Sequence, residues 1–300
     1  MSLCNVIQSK DLTVKQLIKP IEFTASFSKP WLVKCNDDQQ YVLKFFNGSD
    51  DTLANEFLCN RIAQVMGLTV PEIAVVSIEK ENVQRINVNR KNLNEYQISP
   101  GKYFGTRFID STYTLEHEIY RKLKPSTIKN IREVPGMIVF DIFIQNIDRL
   151  KQNVLIHMLP KRQLTFEYVL IDHGHCFGGS NWNVNTMKDF QFDLLNIHWK
   201  HDLFIYDSQF KDYVEKLQNL DKRFFKEVID EIPVEWKKQP HECNEFVNAL
   251  SSMDASKILP LLKKHKRELL VKNLRTRIPK FDQCLSFIDD VKNKYHDLAN

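Results

Sequence analysis

Hydrophobic residues in the first third of the chain come in short runs that alternate with polar turns. The runs are PIEFTASF, PWLVKC, QYVLKFF, EIAVVSI and KYFGTRFI. Runs of this length that are rich in β-branched and aromatic residues are typical of strands. They predict a small, β-rich unit that extends to about Phe108.

One segment between these runs has the period of a helix. Apolar side chains recur there at helical spacing, at Ala54, Phe57, Leu58, Ile62 and Val65. The pattern predicts a helix from about Thr52 to Met66, and Gly67 stands where such a helix would end. We therefore expect the β-rich unit to carry one helix.

From residue 109 onward, helical patterns dominate. The segment VPGMIVFDIFI is apolar on nearly all sides, with Pro135 at an early position, which predicts a buried central helix. The runs NVLIHM and FEYVLID flank the turn LPKRQL and predict a hairpin, and helical patterns continue to the end. We expect an α+β, bilobal protein with a small β-rich lobe (residues 1–108), a larger, mainly helical lobe (residues 109–300) and a cleft between them.

The polar stretch QNIDRLKQNVLI, residues 145–156, interrupts the core between the apolar helix and the hairpin. Within it, Asp148 and Asn153 have the spacing D-x-x-x-x-N. Catalytic loops of phosphotransferases use this spacing for an Asp that accepts the proton of the attacking hydroxyl and an Asn that holds Mg²⁺. The alternative is an ordinary helix-to-strand turn, in which Asn146 and Asp148 bond local backbone groups.

A second acidic residue, Asp172, ends the second strand of the predicted hairpin, in FEYVLIDHG. A carboxylate at the exit of a buried strand is costly to place unless it faces a cleft or binds a cation. Oxygen ligands from Asn153 and Asp172 on adjacent strand ends would suit a Mg²⁺ ion that bridges nucleotide phosphates. The alternative is that Asp172 caps the turn at Gly174.

The β-rich unit supplies a lysine in an apolar setting. Lys44 lies in YVLKFF, and Glu56 follows on the predicted helix. A strand lysine that pairs with a helix glutamate can hold its ammonium group against nucleotide phosphates. Taken singly, each side chain is explained as well by contact with water. Together with the later Asp, Asn and Asp residues, in this order, the pair favours a nucleotide site.

Composition limits the other possibilities. The chain has 300 residues, and 42 Lys and Arg minus 38 Asp and Glu give a formal net charge of +4, a small excess that argues against direct nucleic-acid binding. The six cysteines show no paired short spacing, so we expect neither a disulfide framework nor a zinc knuckle. The N-terminus lacks a signal pattern, and no apolar run is long enough to cross a bilayer. We expect a cytoplasmic protein with no membrane partner.

Five segments together resemble the HipA-like kinases, a bacterial group whose two-lobed fold is similar to that of protein kinases and phosphoinositide kinases. The segments are YVLKFF, NEFLCNRIAQVMGLTVPE, KYFGTRFID, FDIFIQNIDRLKQNVLI and YVLIDHG. They lie within residues 21–179. The resemblance implies a protein-kinase-like fold, and the helical remainder looks like the rest of the family's second lobe, without a motif of its own.

The resemblance also implies a role for each candidate residue. Lys44 would contact the α and β phosphates of ATP, and Glu56 would orient Lys44. Asp148 would be the catalytic base, and Asn153 and Asp172 would hold Mg²⁺. Adenine would be received by a hinge, largely through backbone groups, at Phe104, Thr106 and Phe108.

Two features depart from the family's pattern. The phosphate-covering segment TASFSKPW has no glycine, so it is not a Gly-rich loop of the protein-kinase sort. Ser26, Ser28 and Lys29 would meet the phosphates instead, and Ser26 and Ser28 are candidates for self-phosphorylation; an ordinary polar turn is the alternative. Leu150 stands where family members often carry His, which leaves room for a weak or inactive enzyme.

These observations predict a kinase that uses ATP and Mg²⁺ and transfers the γ-phosphate to a hydroxyl, with Ser or Thr of an unidentified protein as the acceptor. The resemblance adds an antitoxin-like regulator as a candidate partner. A pseudokinase that only binds nucleotide or a partner protein is one alternative. A metallohydrolase built on DHGHC, His198 and His201 is another. The basic run of residues 263–277 is interpreted as the solvated face of a helix, with a docking patch as its alternative.

Overall fold

The structure is a computed structural model that describes residues 9–21, 29–45, 52–92, 97–160, 164–179 and 209–264, and residues 182, 184 and 187. Its strands are β1 Lys10–Pro20, β2 Trp31–Cys35, β3 Gln40–Lys44, β4 Ile73–Ile78, β5 Gly101–Arg107, β6 Thr112–Thr114, β7 Val154–Leu159 and β8 Thr165–Leu170. Its helices are α1 Thr52–Met66, α2 Lys80–Asn92, α3 Glu118–Lys122, α4 Val134–Phe143, α5 Gln209–Gln218, α6 Lys222–Glu231 and α7 Pro240–Ser252.

The first five strands close into a barrel, in the order β1-β2-β3-β5-β4. Parallel pairing of β1 with β4 completes the ring, and the other neighbouring strands are antiparallel. The interior is filled with side chains, since a Cβ atom at Gly105 would lie 2.9 Å from Val76 Cγ2 and 3.0 Å from Leu43 Cδ2. The small sheet expected from the sequence is therefore a closed and packed barrel.

The strand β1 differs from the prediction. It ends at Pro20, where the predicted strand PIEFTASF begins, and residues 22–28 lie outside the described part of the chain. Its buried side chains are Leu12, Val14 and Leu17. The buried residues therefore change from even-numbered to odd-numbered positions after Val14. An irregularity in the pairing with β2, between Val14 and Gln16, accompanies this change. A bulge shifts the buried face of a strand, so the alternation that would reveal β1 is broken.

A second helix, α2, joins α1 beside the barrel, so the prediction of one helix in residues 1–108 is wrong. The sequence of α2, KENVQRINVNRKN, is mostly polar. It buries Val83 and Ile86, and its third inward position is an arginine, Arg90, which is fully buried. The guanidinium of Arg90 lies 4.8 Å from the centre of the Phe45 ring. Because a cation occupies a core position, the apolar period of α2 is too weak to predict a helix.

The prediction of a buried central helix followed by a hairpin is confirmed. All residues of α4 are buried, and Pro135 lies in its first turn. A Cβ atom at Gly136 would lie 2.4 Å from Tyr213 Cε1, which shows how closely α4 and α5 pack. The strands β7 and β8 are antiparallel neighbours, and β6 extends them into a three-stranded sheet. Residues 161–163, within the hairpin turn, are outside the described part.

Helix α1 is bonded to the helices of the second part. Arg61 of α1 is fully buried, and its Nη2 atom donates to Glu231 Oε2 of α6 at 2.8 Å. Lys216 Nζ of α5 donates to the carbonyl of Met66, at the end of α1, at 2.6 Å. A cation at this end is also favoured by the helix dipole. Among the described residues, none of the helices combines the length and the apolar character needed to cross a membrane.

Candidate active site

A cavity of about 820 Å³ is lined by residues of the barrel, of α1 and of the loops around β7 and β8. Ligand pockets for small molecules have volumes of this order. The five side chains that the sequence assigns to phosphate transfer all line it, namely Lys44, Glu56, Asp148, Asn153 and Asp172. The structure thus brings together residues that are more than a hundred positions apart in the chain.

Lys44, at the end of β3, bonds two carboxylates. Its Nζ atom is in hydrogen-bond contact with Glu56 Oε1 of α1, and it donates to Asp172 Oδ1 at 2.6 Å. The side chains of Lys44 and Glu56 are 14% and 4% exposed, whereas that of Asp172 is 37% exposed. Among the residues that the structure describes, two of the three ammonium protons are bonded by carboxylates, and one is left for an anionic ligand.

The charges of this cluster support one another. Burial alone would lower the pKa of Lys44, but the charges of Asp172 and Glu56 outweigh burial and raise it. Burial raises the pKa of Glu56, and Lys44 is the main opposing influence. Burial also acts to raise the pKa of Asp172, but the charge and hydrogen bond of Lys44 lower it. Lys44 and Asp172 are therefore charged at neutral pH.

The backbone of Asp172 has an uncommon conformation. Its φ is 62°, in the left-handed region that residues other than glycine seldom adopt. The amide of the preceding residue, Ile171, donates to the carbonyl of Asn153 at 3.2 Å and holds the approach to this turn. Strained backbone of this kind tends to occur where a side chain must point in a functional direction. Here the conformation accompanies a carboxylate that faces the cavity.

The loop between α4 and β7 presents Asp148. Its backbone amide donates to Asn146 Oδ1 at 3.0 Å, and its carbonyl accepts from Asn153 Nδ2 at 2.7 Å. Asn146 therefore forms the local turn that the alternative interpretation expects. Asp148 lines the cavity all the same. Burial is the main cause that raises the pKa of Asp148, and the charge of Asp172 adds to it. A raised pKa makes this carboxylate a stronger proton acceptor than an ordinary Asp.

The oxygen atoms of Asn153 and Asp172 fit a magnesium ion that arrives with a nucleotide. The amide nitrogen of Asn153 is bonded to the protein, so its oxygen is the atom that a cation would contact. Mg²⁺ is usually held by one or two side-chain oxygens, with phosphates and water as the other ligands. Within the described residues, no three His, Cys, Asp or Glu side chains form a metal cluster. His198 and His201, of the metallohydrolase alternative, are not among those residues.

The predicted hinge meets the cavity only at its end. Thr106 and Phe108 line the cavity, as does Ile109. Phe104 does not: it is fully buried, with backbone paired to β3 on one side and β4 on the other. The amide of Phe108 already donates to the carbonyl of Gln40 at 2.9 Å. An adenine contact at this edge would therefore use carbonyl oxygens or the backbone of Ile109.

The predicted phosphate-covering segment is described only at its end. Lys29 has a φ of 41°, and its carbonyl accepts from Arg90 Nη2 at 3.0 Å. The next residue, Pro30, lines the cavity. Ser26 and Ser28 lie outside the described residues, so their phosphate contacts and self-phosphorylation stay predictions.

Comparison with known proteins identifies the family. A family model described as HipA-like kinase matches residues 14–271. The chain belongs to the HipA-like kinase family. A search of curated proteins with the sequence found no match.

Solved structures resemble this HipA-like kinase at low identity. The Helicobacter pylori proinflammatory kinase CtkA has 13% identity and a TM-score of 0.53, over 87% of this chain and 98% of that one. The Golgi casein kinase with Mn and ADP bound has 11% identity and a TM-score of 0.43, over 84% and 72%. HipA of Shewanella oneidensis, in a complex with HipB and operator DNA, has 10% identity and a TM-score of 0.41, over 83% and 68%. The likeness to CtkA shows a kinase-type fold.

Arg149 and Asp141 hold the loops of the site in this HipA-like kinase. The sequence did not assign either residue to the site. Arg149 is buried, and its Nε and Nη2 atoms bond the carboxylate of Asp141 in α4 at 2.9 Å. Its Nη1 atom donates at 2.8 Å to the carbonyls of both Asn153 and Ile171. The guanidinium therefore links the central helix to the loop of Asn153 and to the strand end before Asp172. A charged residue in the otherwise apolar α4 was the signal in the sequence.

Another cavity residue that the sequence did not assign to phosphate transfer is His175. Leu150, which departs from the pattern described above, also lines the cavity. The neighbouring cation, Arg149, is buried against Asp141. His175 lines the same cavity, and its charge acts to lower the pKa of Asp148. The sequence pointed to His175 only as part of a metal cluster.

Replacing Arg149 with Lys tests the link between these loops. Lysine keeps the charge opposite Asp141 but cannot reach the two carbonyls with a planar fork. We expect the free energy of unfolding to fall by about 1–3 kcal/mol, since buried acceptors lose their donors. Urea unfolding measures this change. Arg223→Lys, in an exposed pair with Glu227 on α6, is the control and should change stability by less than about 1 kcal/mol. Equal effects of the two substitutions would contradict the assignment.

Proposed function

We propose that this HipA-like kinase binds ATP with Mg²⁺ in the cavity and transfers the γ-phosphate to a hydroxyl, with Ser or Thr of a protein as the acceptor. Residues 1–108 and 109–300 would be the two lobes of the enzyme. The observation that carries the proposal is the convergence of the Lys44, Glu56 and Asp172 cluster with Asp148 and Asn153 on one cavity. These are the residue types that phosphoryl transfer requires, in roles that the geometry allows.

Binding would use the cluster around Lys44. The remaining ammonium proton of Lys44 would bond phosphate oxygens, and Glu56 would keep the ammonium in place. The oxygens of Asn153 and Asp172 would hold the magnesium ion, which supplies positive charge opposite the phosphates when bound. The side chains of Val42, Leu155 and Leu170 give the cavity an apolar lining that suits a base.

Transfer would use Asp148. The hydroxyl oxygen of the acceptor forms a bond to the γ-phosphorus while the bond from that phosphorus to the bridging oxygen of ADP breaks. The hydroxyl proton goes to the Asp148 carboxylate, whose raised pKa suits this role. Lys44 offsets negative charge on the phosphates throughout. Positioning and charge neutralisation thus account for most of the proposed catalysis.

The second candidate function is that of a pseudokinase, and Leu150 is the observation that favours it. A leucine at this place in the cavity neither donates nor accepts a proton. A protein of this kind would bind nucleotide and act on a partner without transfer. In either case the family suggests an antitoxin-like regulator as a partner, and the scattered cysteines favour the cytoplasm as the place of action.

The experiment that tests the proposal compares the parent protein with Asp172→Asn. We expect the parent to bind ATP in the presence of Mg²⁺ and to transfer labelled γ-phosphate to itself or to an added protein. The variant should bind Mg²⁺–ATP more weakly by about 10-fold or more, since a charged contact contributes about 1.5–3 kcal/mol. Isothermal titration measures the affinity. Asp212→Asn, at an exposed position of α5, is the control.

The outcomes separate the two candidate functions. A parent protein that binds Mg²⁺–ATP and transfers phosphate, with Asp172→Asn impaired, supports the kinase. A parent that binds Mg²⁺–ATP but labels no acceptor supports the pseudokinase. A parent that binds no nucleotide at all contradicts both.

A further inference from the structure

The residue before Glu56, Asn55, is fully buried and uses its whole side-chain amide. Its Nδ2 atom donates to the carbonyls of Gly174 at 2.8 Å, Cys176 at 3.1 Å and Gly179 at 3.0 Å. Its Oδ1 atom accepts from Trp182 Nε1 at 2.7 Å. One side chain on α1 thus binds the backbone of the segment that follows Asp172.

The segment that Asn55 holds, residues 174–179, lies between α1 and the residue that follows α4. A Cβ atom at Gly174 would lie 3.3 Å from Thr52 Cβ and 3.5 Å from Glu56 Oε1, so the segment packs directly on the first turns of α1. On its other side, the Phe177 amide donates to the carbonyl of Ile144, just after α4, at 2.9 Å. Buried carbonyls that lose their donor are costly, so the position of this segment depends on Asn55.

We propose that Asn55 is a positioning residue for the metal-binding side of the active site. The proposal rests on the proposed function, because it assigns Asp172 to a Mg²⁺–nucleotide complex. Asn55 and Glu56 are consecutive, so one turn of α1 holds Lys44 through Glu56 and the segment after Asp172 through Asn55. The distance between the two halves of the site is then set by a single rigid helix.

Two features of the segment explain why its position matters for Asp172 and not only for folding. Asp172 has a left-handed backbone, and such a conformation persists only where the surroundings hold it. The Asn55 bonds begin two residues after Asp172, at Gly174. They also hold the carbonyls on both sides of His175, which lines the cavity. Outer partners of metal ligands commonly change metal affinity by about 10- to 100-fold when they are removed.

The test measures binding of ADP with Mg²⁺ and with EDTA by isothermal titration, in the parent, Asn55→Ala and Asn87→Ala. Asn87 is the matched control because both its amide nitrogen and its amide oxygen bond backbone groups, those of Ile98. It lies on α2, away from the cavity. In the parent, Mg²⁺ should increase the affinity for ADP. In Asn55→Ala this increase should shrink by about 10-fold or more, while the affinity in EDTA stays within about 2-fold of the parent value. Asn87→Ala should keep the full effect of Mg²⁺, whatever stability it loses.

A milder variant keeps the test decisive if Asn55→Ala does not fold. Trp182→Phe removes only the N–H group that orients the Asn55 amide, and its ring can keep the stacked contact with Phe246, 4.1 Å between centroids. We expect the same loss of Mg²⁺ dependence, smaller in size.

Each result has one meaning. Loss of Mg²⁺ dependence in the Asn55 or Trp182 variant, with the control unaffected, supports the positioning role. Full Mg²⁺ dependence in a folded variant overturns that role and leaves the proposed function standing. A parent that shows no Mg²⁺-dependent binding of ADP contradicts the proposed function itself, and the positioning role with it.

Discussion

Replacing Asp148 with Asn should leave this HipA-like kinase able to bind nucleotide but nearly unable to transfer phosphate. The substitution keeps the shape of the side chain and removes the group that accepts the hydroxyl proton. The loss of a general base lowers turnover by about 10²- to 10⁴-fold. Mg²⁺–ATP affinity should change little, because Asn153 and Asp172 hold the metal in the proposed complex and Lys44 holds the phosphates.

Single-turnover transfer of labelled phosphate, together with ATP titration, measures the two effects separately. Asp212→Asn, an exposed substitution on α5, provides the control for the change from Asp to Asn. In the parent, transfer should decline at acid pH with a midpoint above the ordinary Asp value of about 4, because the pKa of Asp148 is raised. Full turnover in Asp148→Asn would show that another group accepts the proton.

Replacing Lys44 with Met should reduce both stability and nucleotide binding. Lys44 bonds Glu56, whose side chain is only 4% exposed, so the variant leaves a buried carboxylate without its cation. Breaking one side of a buried pair costs about 3–5 kcal/mol. Urea unfolding measures the loss. Lys34→Met is the control, since Lys34 pairs with Asp38 at the surface of the barrel and should cost less than about 1 kcal/mol.

The pH dependence of the Lys44→Met variant identifies the cause. Burial raises the pKa of Glu56, and without Lys44 the main opposing influence is gone. The folded-state pKa then lies further above the unfolded value of about 4.3, so the folded state binds more protons between these two values. The stability deficit should therefore be smallest at acid pH and should grow as pH rises through the raised pKa. A second substitution, Glu56→Gln, should recover much of the stability at neutral pH. If the stability deficit of Lys44→Met changed neither with pH nor on Glu56→Gln substitution, lost packing would be the cause instead.

The sequence predicts the main elements and the composition of the cavity because the relevant signals are local. Lys44 stands in an apolar run, and Asp172 stands at the end of one; charged residues in such places require a partner. The spacing of Asp148 and Asn153 belongs to a single loop. The predicted strands and helix then give each of these residues a place at a strand end, in a loop or on the helix.

The parts that the sequence does not predict depend on contacts between distant segments. The bulges of β1 remove its alternation, and Arg90 fills a core position of α2 that an apolar residue would have revealed. Asn55 binds carbonyls that are 119 to 124 positions away. The residues that neighbour Asn55 in the sequence do not indicate which distant backbone groups its amide will bond. The hinge motif predicted that Phe104 meets adenine through its backbone, but this backbone is paired with β3 on one side and β4 on the other.

The closed barrel affects how other proteins can associate with this one. Each of its five strands has a neighbour on both sides, so the ring offers no edge to which a strand of another chain can be added. In the three-stranded sheet, β8 forms a further bridge through Phe166 to Ile128, whereas β6 is an outer strand in the described structure. The outer strand β6 also borders the cavity, which Thr112 and Thr114 line. An extended peptide that paired with β6 would run beside this cavity.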